Sequence, residues 1–106
     1  MQQITAQQLK TKLDNDTILP ILLDIREIRE HEICRIEGSL LIPMQSIPDA
    51  LETLNSEQEI VVICHHGIRS SQVAEYLQEK GFSKVMNLAG GIEQWRMTVD
   101  LSMQAY

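Results

Sequence analysis

The sequence predicts an α/β fold built on an open or mostly parallel sheet. Three observations lead there. Short segments such as Ile21 to Ile25 and Ile60 to Ile63 are apolar without alternation, as strands covered on both faces must be. These segments alternate with amphipathic stretches of helical length, and strand-helix-strand order calls for right-handed crossovers that lay helices on the sheet. The composition, 43% apolar and 23% charged over 106 residues, lies in the globular range and supports one domain over residues 1–106.

The elements follow in order. Thr5-Ala6-Gln7-Gln8 has the form of a capping box, with Leu9 and Leu13 on one face, and predicts a helix over 6–14. Asp14-Asn15-Asp16 breaks it, and Ile21 to Ile25 is the next strand. Residues 27–33, rich in Glu and Arg, read as a helix, and the charges from Arg26 to Glu32 as its solvated face. Leu40 to Ile42 is a short strand stopped by Pro43. Ser46 as N-cap and Pro48 in the first turn predict a helix over 47–55 that turns Ala50, Leu51 and Leu54 inward. Glu59 to Ile63 is the clearest strand, and Ser70 to Lys80 the clearest helix, ended by Gly81. Lys84 to Leu88 is a last strand, followed by Gly90-Gly91 and a helical turn in which Trp95 and Ile92 anchor the core. Residues 97–106 carry no convincing period and receive no element.

Composition excludes several classes of function. With 9 Lys+Arg against 15 Asp+Glu the formal net charge is −6, the wrong sign for a non-specific binder of nucleic acid or of an anionic membrane. The stretch from Met1 to Leu9 lacks the layout of a signal peptide, and the longest apolar run, Ile18 to Leu23, contains Pro20 and is far too short to span a bilayer. Two cysteines are too few for a secreted disulfide framework, so the reducing cytosol is the expected compartment.

In open α/β sheets the ligand crevice lies beyond the carboxyl ends of the strands, where helix N-termini also point. Cys64 stands at that place. It follows the strand ending at Ile63, and Cys64-His65-His66-Gly67-Ile68-Arg69-Ser70 must turn and enter a helix. Gly67 can take a positive φ and turn backbone N–H groups inward. Those donors, the helix start, Arg69 and the flanking His65 and His66 favour thiolate over thiol and would hold an anionic substrate. The competing reading is a buried, inert cysteine at a strand end. A cysteine phosphatase would need a longer loop than His65 to Ile68 to wrap a tetrahedral phosphate. The shorter loop suits a single sulfur atom held on the cysteine.

Four stretches together resemble a single-domain rhodanese: Leu22-Leu23-Asp24-Ile25-Arg26, Gly38-Ser39-Leu40-Leu41-Ile42-Pro43, Ile63-Cys64-His65-His66-Gly67-Ile68-Arg69-Ser70 and Leu88-Ala89-Gly90-Gly91-Ile92-Glu93-Gln94-Trp95. They stand in the family's order and cover about residues 4–96. The resemblance implies a mostly parallel, five-stranded sheet flanked by helices on both faces, and a sulfurtransferase whose cysteine alternates between thiolate and persulfide. It makes Cys64 the sulfur-accepting nucleophile and the backbone of His65 to Ser70 an anion cradle, with Arg69 closing the loop and adding positive charge. Asp24 and Arg26 match the family's Asp-x-Arg motif. Asp24 then reads as a support whose carboxylate accepts hydrogen bonds that fix the loop, or as N-cap of the helix at 27–33. One segment departs: the family's usual Gly-His-Ile-Pro-Gly-Ala run is here Cys34-Arg35-Ile36-Glu37-Gly38-Ser39, a change that bears on substrate preference more than on persulfide chemistry.

The expected reaction is transfer of a sulfane sulfur from thiosulfate or a similar small anion to cyanide or a thiol acceptor. The alternative is a sulfur-relay module whose donor or acceptor is a protein. A phosphatase or arsenate reductase stands further off. Cys34 reads as a packing cysteine rather than a resolving thiol for Cys64. His65 and His66 read either as proton shuttles or as solvent-facing loop residues. Cys64, His65 and His66 cannot all point at one metal from a tight loop, so neither metal nor other cofactor is expected. From Ile60 to Ala74 there is no acidic residue. An acidic shell around one small cationic pocket is the resulting electrostatic expectation.

Overall fold

Residues Ile60 to Ile63 are buried on both faces and form the central strand of the sheet. The computed structural model describes residues 1–106. Its strands are β1 (Gln2–Ile4), β2 (Ile21–Asp24), β3 (Leu40–Leu41), β4 (Ile60–Ile63) and β5 (Val85–Leu88), in the order β1-β5-β4-β2-β3. Every neighbouring pair is parallel. The helices are α1 (Ala6–Asn15), α2 (Ile28–Ile33), α3 (Ile47–Ala50), α4 (Ile68–Glu79) and α5 (Gly91–Thr98). Strand periodicity sorts the core into two layers. Val61 and Ile63 face Leu9 of α1 and Ile92 and Trp95 of α5. Ile60, Val62 and Cys64 face Ile47 of α3 and Val73, Ala74 and Leu77 of α4. The parallel sheet and its two helical layers are those that the sequence predicts.

The boundaries differ in instructive ways. β1 has no counterpart in the sequence reading, because Gln2-Gln3-Ile4 is short and polar and only Ile4 is buried. It exists because β5 offers an unpaired edge, in register Gln3 with Asn87. The helix expected over 47–55 is broken into a 3₁₀ turn at Met44–Ser46, α3, and a second 3₁₀ turn at Leu51–Thr53. Ser46 caps nothing with its side chain; its N–H closes the first turn on Pro43 O at 2.8 Å. Ile47 and Leu54 are the buried anchors, and a segment pinned at both ends has too little length to propagate a regular helix. α4 begins two residues before the expected start, at Ile68, because Gly67 takes φ +96° and lets the loop become helix at once.

The capping box at Thr5 is formed: Gln8 N–H donates to Thr5 Oγ1 at 3.1 Å and Thr5 N–H to Gln8 Oε1 at 2.9 Å. The solvated-face reading of residues 26–32 fails at two positions. Arg26 is fully buried, and the Glu30 carboxylate turns inward to an ion pair described below. No helix is long and apolar enough to cross a membrane.

Leu23 lies in the central layer with no solvent exposure, so Leu23→Ala should cost about 2–5 kcal/mol of unfolding free energy. Ile18→Ala, at a residue 79% exposed, should change it by less than about 0.5 kcal/mol. Urea denaturation monitored by circular dichroism reads both, and equal effects would contradict this assignment of the core.

Candidate active site

The loop after β4 is clamped from outside by α5. Ile92 N–H donates to Cys64 O at 2.9 Å, and Glu93 N–H donates to His65 O at 3.0 Å. Gly91 makes this approach possible, since its φ is +59° and a Cβ there would lie 2.5 Å from both oxygens. With those carbonyls turned out, later N–H groups turn in. Gly67 N–H reaches Cys64 Sγ at 3.1 Å and Ser70 N–H reaches it at 3.3 Å, the latter from the first turn of α4. A sulfur so placed can carry negative charge, held by backbone donors and the helix start.

Ser70 and Asn87 complete the inner surface. Asn87 Nδ2 donates to Gly67 O at 3.2 Å and to Gln3 Oε1 at 2.9 Å, which turns Asn87 Oδ1 toward Ser70. The Ser70 hydroxyl donates to that oxygen and accepts from the Cys64 thiol at 3.2 Å. One backbone carbonyl thus orients the whole polar chain down to the sulfur. Asn87 belongs to this site although sequence reasoning passed over it. The available signal was a single amide inside the otherwise apolar Val85-Met86-Asn87-Leu88, in register with Val62 and so on the face of Cys64.

Asp24 and Arg26 sit elsewhere than expected. Asp24 is in register with Ile63, so its side chain leaves the sheet on the face opposite Cys64. There its carboxylate accepts from Arg26 Nε at 2.9 Å, Arg26 Nη2 at 2.7 Å and Arg26 N at 3.1 Å. It neither bonds the 64–70 loop nor caps α2, whose N-cap position is Glu27. Arg26 in turn donates to Cys34 O at 2.7 Å and Glu30 O at 3.3 Å, fixing the turn after α2. The Asp24 carboxylate holds the Arg26 guanidinium in its charged form, above the ordinary arginine value, against burial that works the other way. Cys34 packs in the α1/α5 layer and Cys64 in the α3/α4 layer, so the sheet separates the two thiols.

Arg69 does close the loop, but against α2. Its Nη1 and Nη2 donate to Glu30 Oε1 and Oε2, each at 3.0 Å, a fork-to-fork pair across the carboxyl edge of the sheet. The small cationic pocket expected from the sequence is corrected accordingly: Glu30, distant in sequence, balances the charge of Arg69. Burial and then His66 push His65 below the ordinary imidazole value, so it contributes a flat ring rather than a charge. His65 stacks on His66 at 4.0 Å between centroids, and Ile68 is 71% exposed. Attraction for an anion therefore rests on directed N–H groups near the sulfur, with little net local charge.

Comparison with known proteins agrees with the fold that carries this loop. The rhodanese-like domain model matches residues 5–98. A putative sulfur carrier protein, YrkF, of Bacillus subtilis is 39% identical over 93 residues, covering 88% of this chain and 50% of its own, so the chain spans about half of that relative. The thiosulfate sulfurtransferase GlpE of Pseudomonas fluorescens is 37% identical over 78 residues, 74% of this chain and 72% of its own. Among solved structures, a rhodanese-like domain protein from Staphylococcus aureus superposes with a TM-score of 0.86 at 32% identity, covering 100% of this chain and 99% of that one.

Two outcomes follow from the ion pairs. Asp24→Ala leaves a buried guanidinium without its partner and should destabilise the protein by about 3–5 kcal/mol, measured by urea denaturation; a loss under about 1 kcal/mol would mean that Arg26 finds water or another anion. Glu30 is held down to about 2 by the Arg69 guanidinium, against opposing burial. Because the folded value is depressed, this stabilisation is complete above the ordinary carboxylate range and disappears as pH falls toward about 2. Thermal unfolding of the wild type and Glu30→Gln should therefore differ most near neutrality and converge as pH falls to about 2. A constant difference across that range would contradict the linkage.

Proposed function

The chain belongs to the rhodanese-like domain family, and from that premise we propose that it is a sulfurtransferase in which Cys64 carries the transferred sulfur. The observation that carries the reading is the pair of N–H groups, from Gly67 and Ser70, directed at Cys64 Sγ at the carboxyl edge of the sheet. In the first half-reaction the Cys64 thiolate attacks the outer sulfur of thiosulfate. A new sulfur–sulfur bond forms, the bond within thiosulfate breaks, and sulfite leaves with its electron pair. In the second, cyanide or a thiolate takes the outer sulfur of the persulfide, and the Cys64 thiolate is restored. The same donors serve both states, because each places negative charge on sulfur inside the loop. Outward clamping by α5 keeps them aligned without reorganisation during the reaction.

The remaining loop residues have distinct parts in this reading. Gly67 and Ser70 supply donors, and Ser70 also meets the thiol proton. His65, His66 and Ile68 form the rim, and Arg69 ties the loop to α2. Asp24 and Arg26 act from behind by fixing the chain around Cys34. The compartment we assign is the reducing cytosol, in which both thiols persist as free cysteines.

A second reading is favoured by one observation, the similarity to a putative sulfur carrier protein. Here the donor or acceptor is a protein persulfide rather than thiosulfate. The altered Cys34-Arg35-Ile36-Glu37-Gly38-Ser39 segment would then belong to the partner's footing. Rapid sulfur transfer from a persulfidated protein, beside negligible turnover with thiosulfate, would select it.

Incubation with thiosulfate should add the mass of one sulfur atom to the protein, and the addition should be absent from Cys64→Ala. A wild-type protein that stays unmodified under those conditions overturns thiosulfate as the donor. Persistence of the addition in Cys64→Ala overturns Cys64 as the carrier.

A further inference from the structure

Cys64 is only 1% exposed, although the reaction needs its sulfur to meet a donor. Something must open. The sheet behind the sulfur and the α5 clamp outside it are held by backbone hydrogen bonds. A third tie on the loop is made of side chains alone, and its centre is Tyr106, from the segment that the sequence left without an element.

Tyr106 joins the two ends of the loop. Its ring lies on the His65 ring, with centroids 3.9 Å apart and planes at 11°. Its hydroxyl donates to Glu30 Oε2 at 2.9 Å, the same oxygen that Arg69 Nη2 holds at 3.0 Å. The connection therefore runs from His65, next to the cysteine, through Tyr106 and Glu30 to Arg69 at the far side of the loop. Arg26 is the fixed post beneath it. Nη1 of Arg26 donates to Tyr106 Oη at 2.8 Å, and the buried pair with Asp24 keeps that guanidinium from following the phenol away. Tyr106 is nevertheless 37% exposed, so it can leave without disturbing the core.

We propose that Tyr106 is a specificity-determining residue of the Cys64 site: tethered between His65 and Glu30, it limits how far the mouth of the loop opens, so that small sulfur donors and acceptors reach Cys64 and bulky ones do not. This rests on the reading of Cys64 as the sulfur carrier. Ring contacts, the His65 stack and the Arg26 guanidinium 5.6 Å from the ring centroid, hold the phenol together with its hydroxyl bonds, and the two kinds separate by substitution. Tyr106→Phe keeps the stack on His65 and loses the hydroxyl bridge between Arg26 and Glu30, whereas Tyr106→Ala loses both.

The test uses alkylation of Cys64, read at that residue by peptide mass spectrometry in the full chain, with iodoacetamide as the small probe and a polyethylene-glycol maleimide as the bulky one. Tyr106→Ala should raise the bulky reagent's rate about tenfold over wild type and the small reagent's rate much less, with Tyr106→Phe between the two. Glu30→Gln, which leaves the ring in place but weakens its anchor, should also favour the bulky reagent. Circular dichroism melts establish that each variant is folded under the assay conditions. Equal bulky-reagent rates in wild type, folded Tyr106→Ala and Glu30→Gln would overturn the proposal, as would an equal gain for both reagents, which signals general loosening. Size-selective alkylation in a protein that takes no sulfur from thiosulfate would uphold the role of Tyr106 at the mouth and reject thiosulfate as donor, so the two failures are distinguishable.

Discussion

The site depends on two carbonyl groups pointing the wrong way for a strand that simply ended. Cys64 O and His65 O face outward onto the first N–H groups of α5, and only a glycine at position 91 lets that helix approach so closely. A peptide group is planar, so turning carbonyls out constrains where the next N–H groups point. Gly67 then completes the turn in the left-handed region, and α4 begins immediately. The placement of the Cys64 sulfur, its donors and the two helix starts are consequences of one backbone arrangement, held by hydrogen bonds rather than by side-chain packing.

In a chain with a net charge of −6 this arrangement leaves no surplus of cations at the loop. The cations nearest the loop are matched, Arg69 by Glu30 and Arg26 by Asp24. What remains at the sulfur is a set of oriented dipoles at hydrogen-bond distance. Such donors act strongly over short range and weakly beyond it, whereas a surplus of cations would attract polyanions from afar. The field at the sulfur is thus local, set by N–H groups at hydrogen-bond distance and not by net charge.

The polar groups also tie together layers that the sheet keeps apart. Asp24 leaves the end of β2 on the α1/α5 side, where Arg26 joins it and Cys34, while Cys64 and Ser70 lie on the α3/α4 side. Glu30 reaches over the carboxyl edge to Arg69, and Asn87 links β1, β5 and the loop through Gln3, Ser70 and Gly67. Each buried side-chain nitrogen and oxygen has a partner, so this network adds rigidity without an unsatisfied side chain to weaken it. The loop is fixed by backbone hydrogen bonds around the sulfur, and its ends are tied by side chains that solvent can reach.

The strands β2, β4 and β5, the helices α1 and α4, and the position of Cys64 were legible from periodicity, capping and strand-end placement, because those signals act between residues close in sequence. Family resemblance added the sulfur chemistry. Local patterns could not reveal the pairing of β1, which depends on a free edge of β5, or the break in 47–55, which depends on where Ile47 and Leu54 are buried. Nor could they show that Asp24 faces away from Cys64, since that follows from register with β4. The partners of Arg69 and His65 were equally hidden: Glu30 and Tyr106 are remote along the chain and meet the loop only when the strand ends converge. Sequence alone therefore determined the sheet, the position of Cys64 at its carboxyl edge and the glycines its loop requires. Tertiary structure decided how charge is balanced around the sulfur and what covers it, because both depend on side chains brought together by pairing and burial.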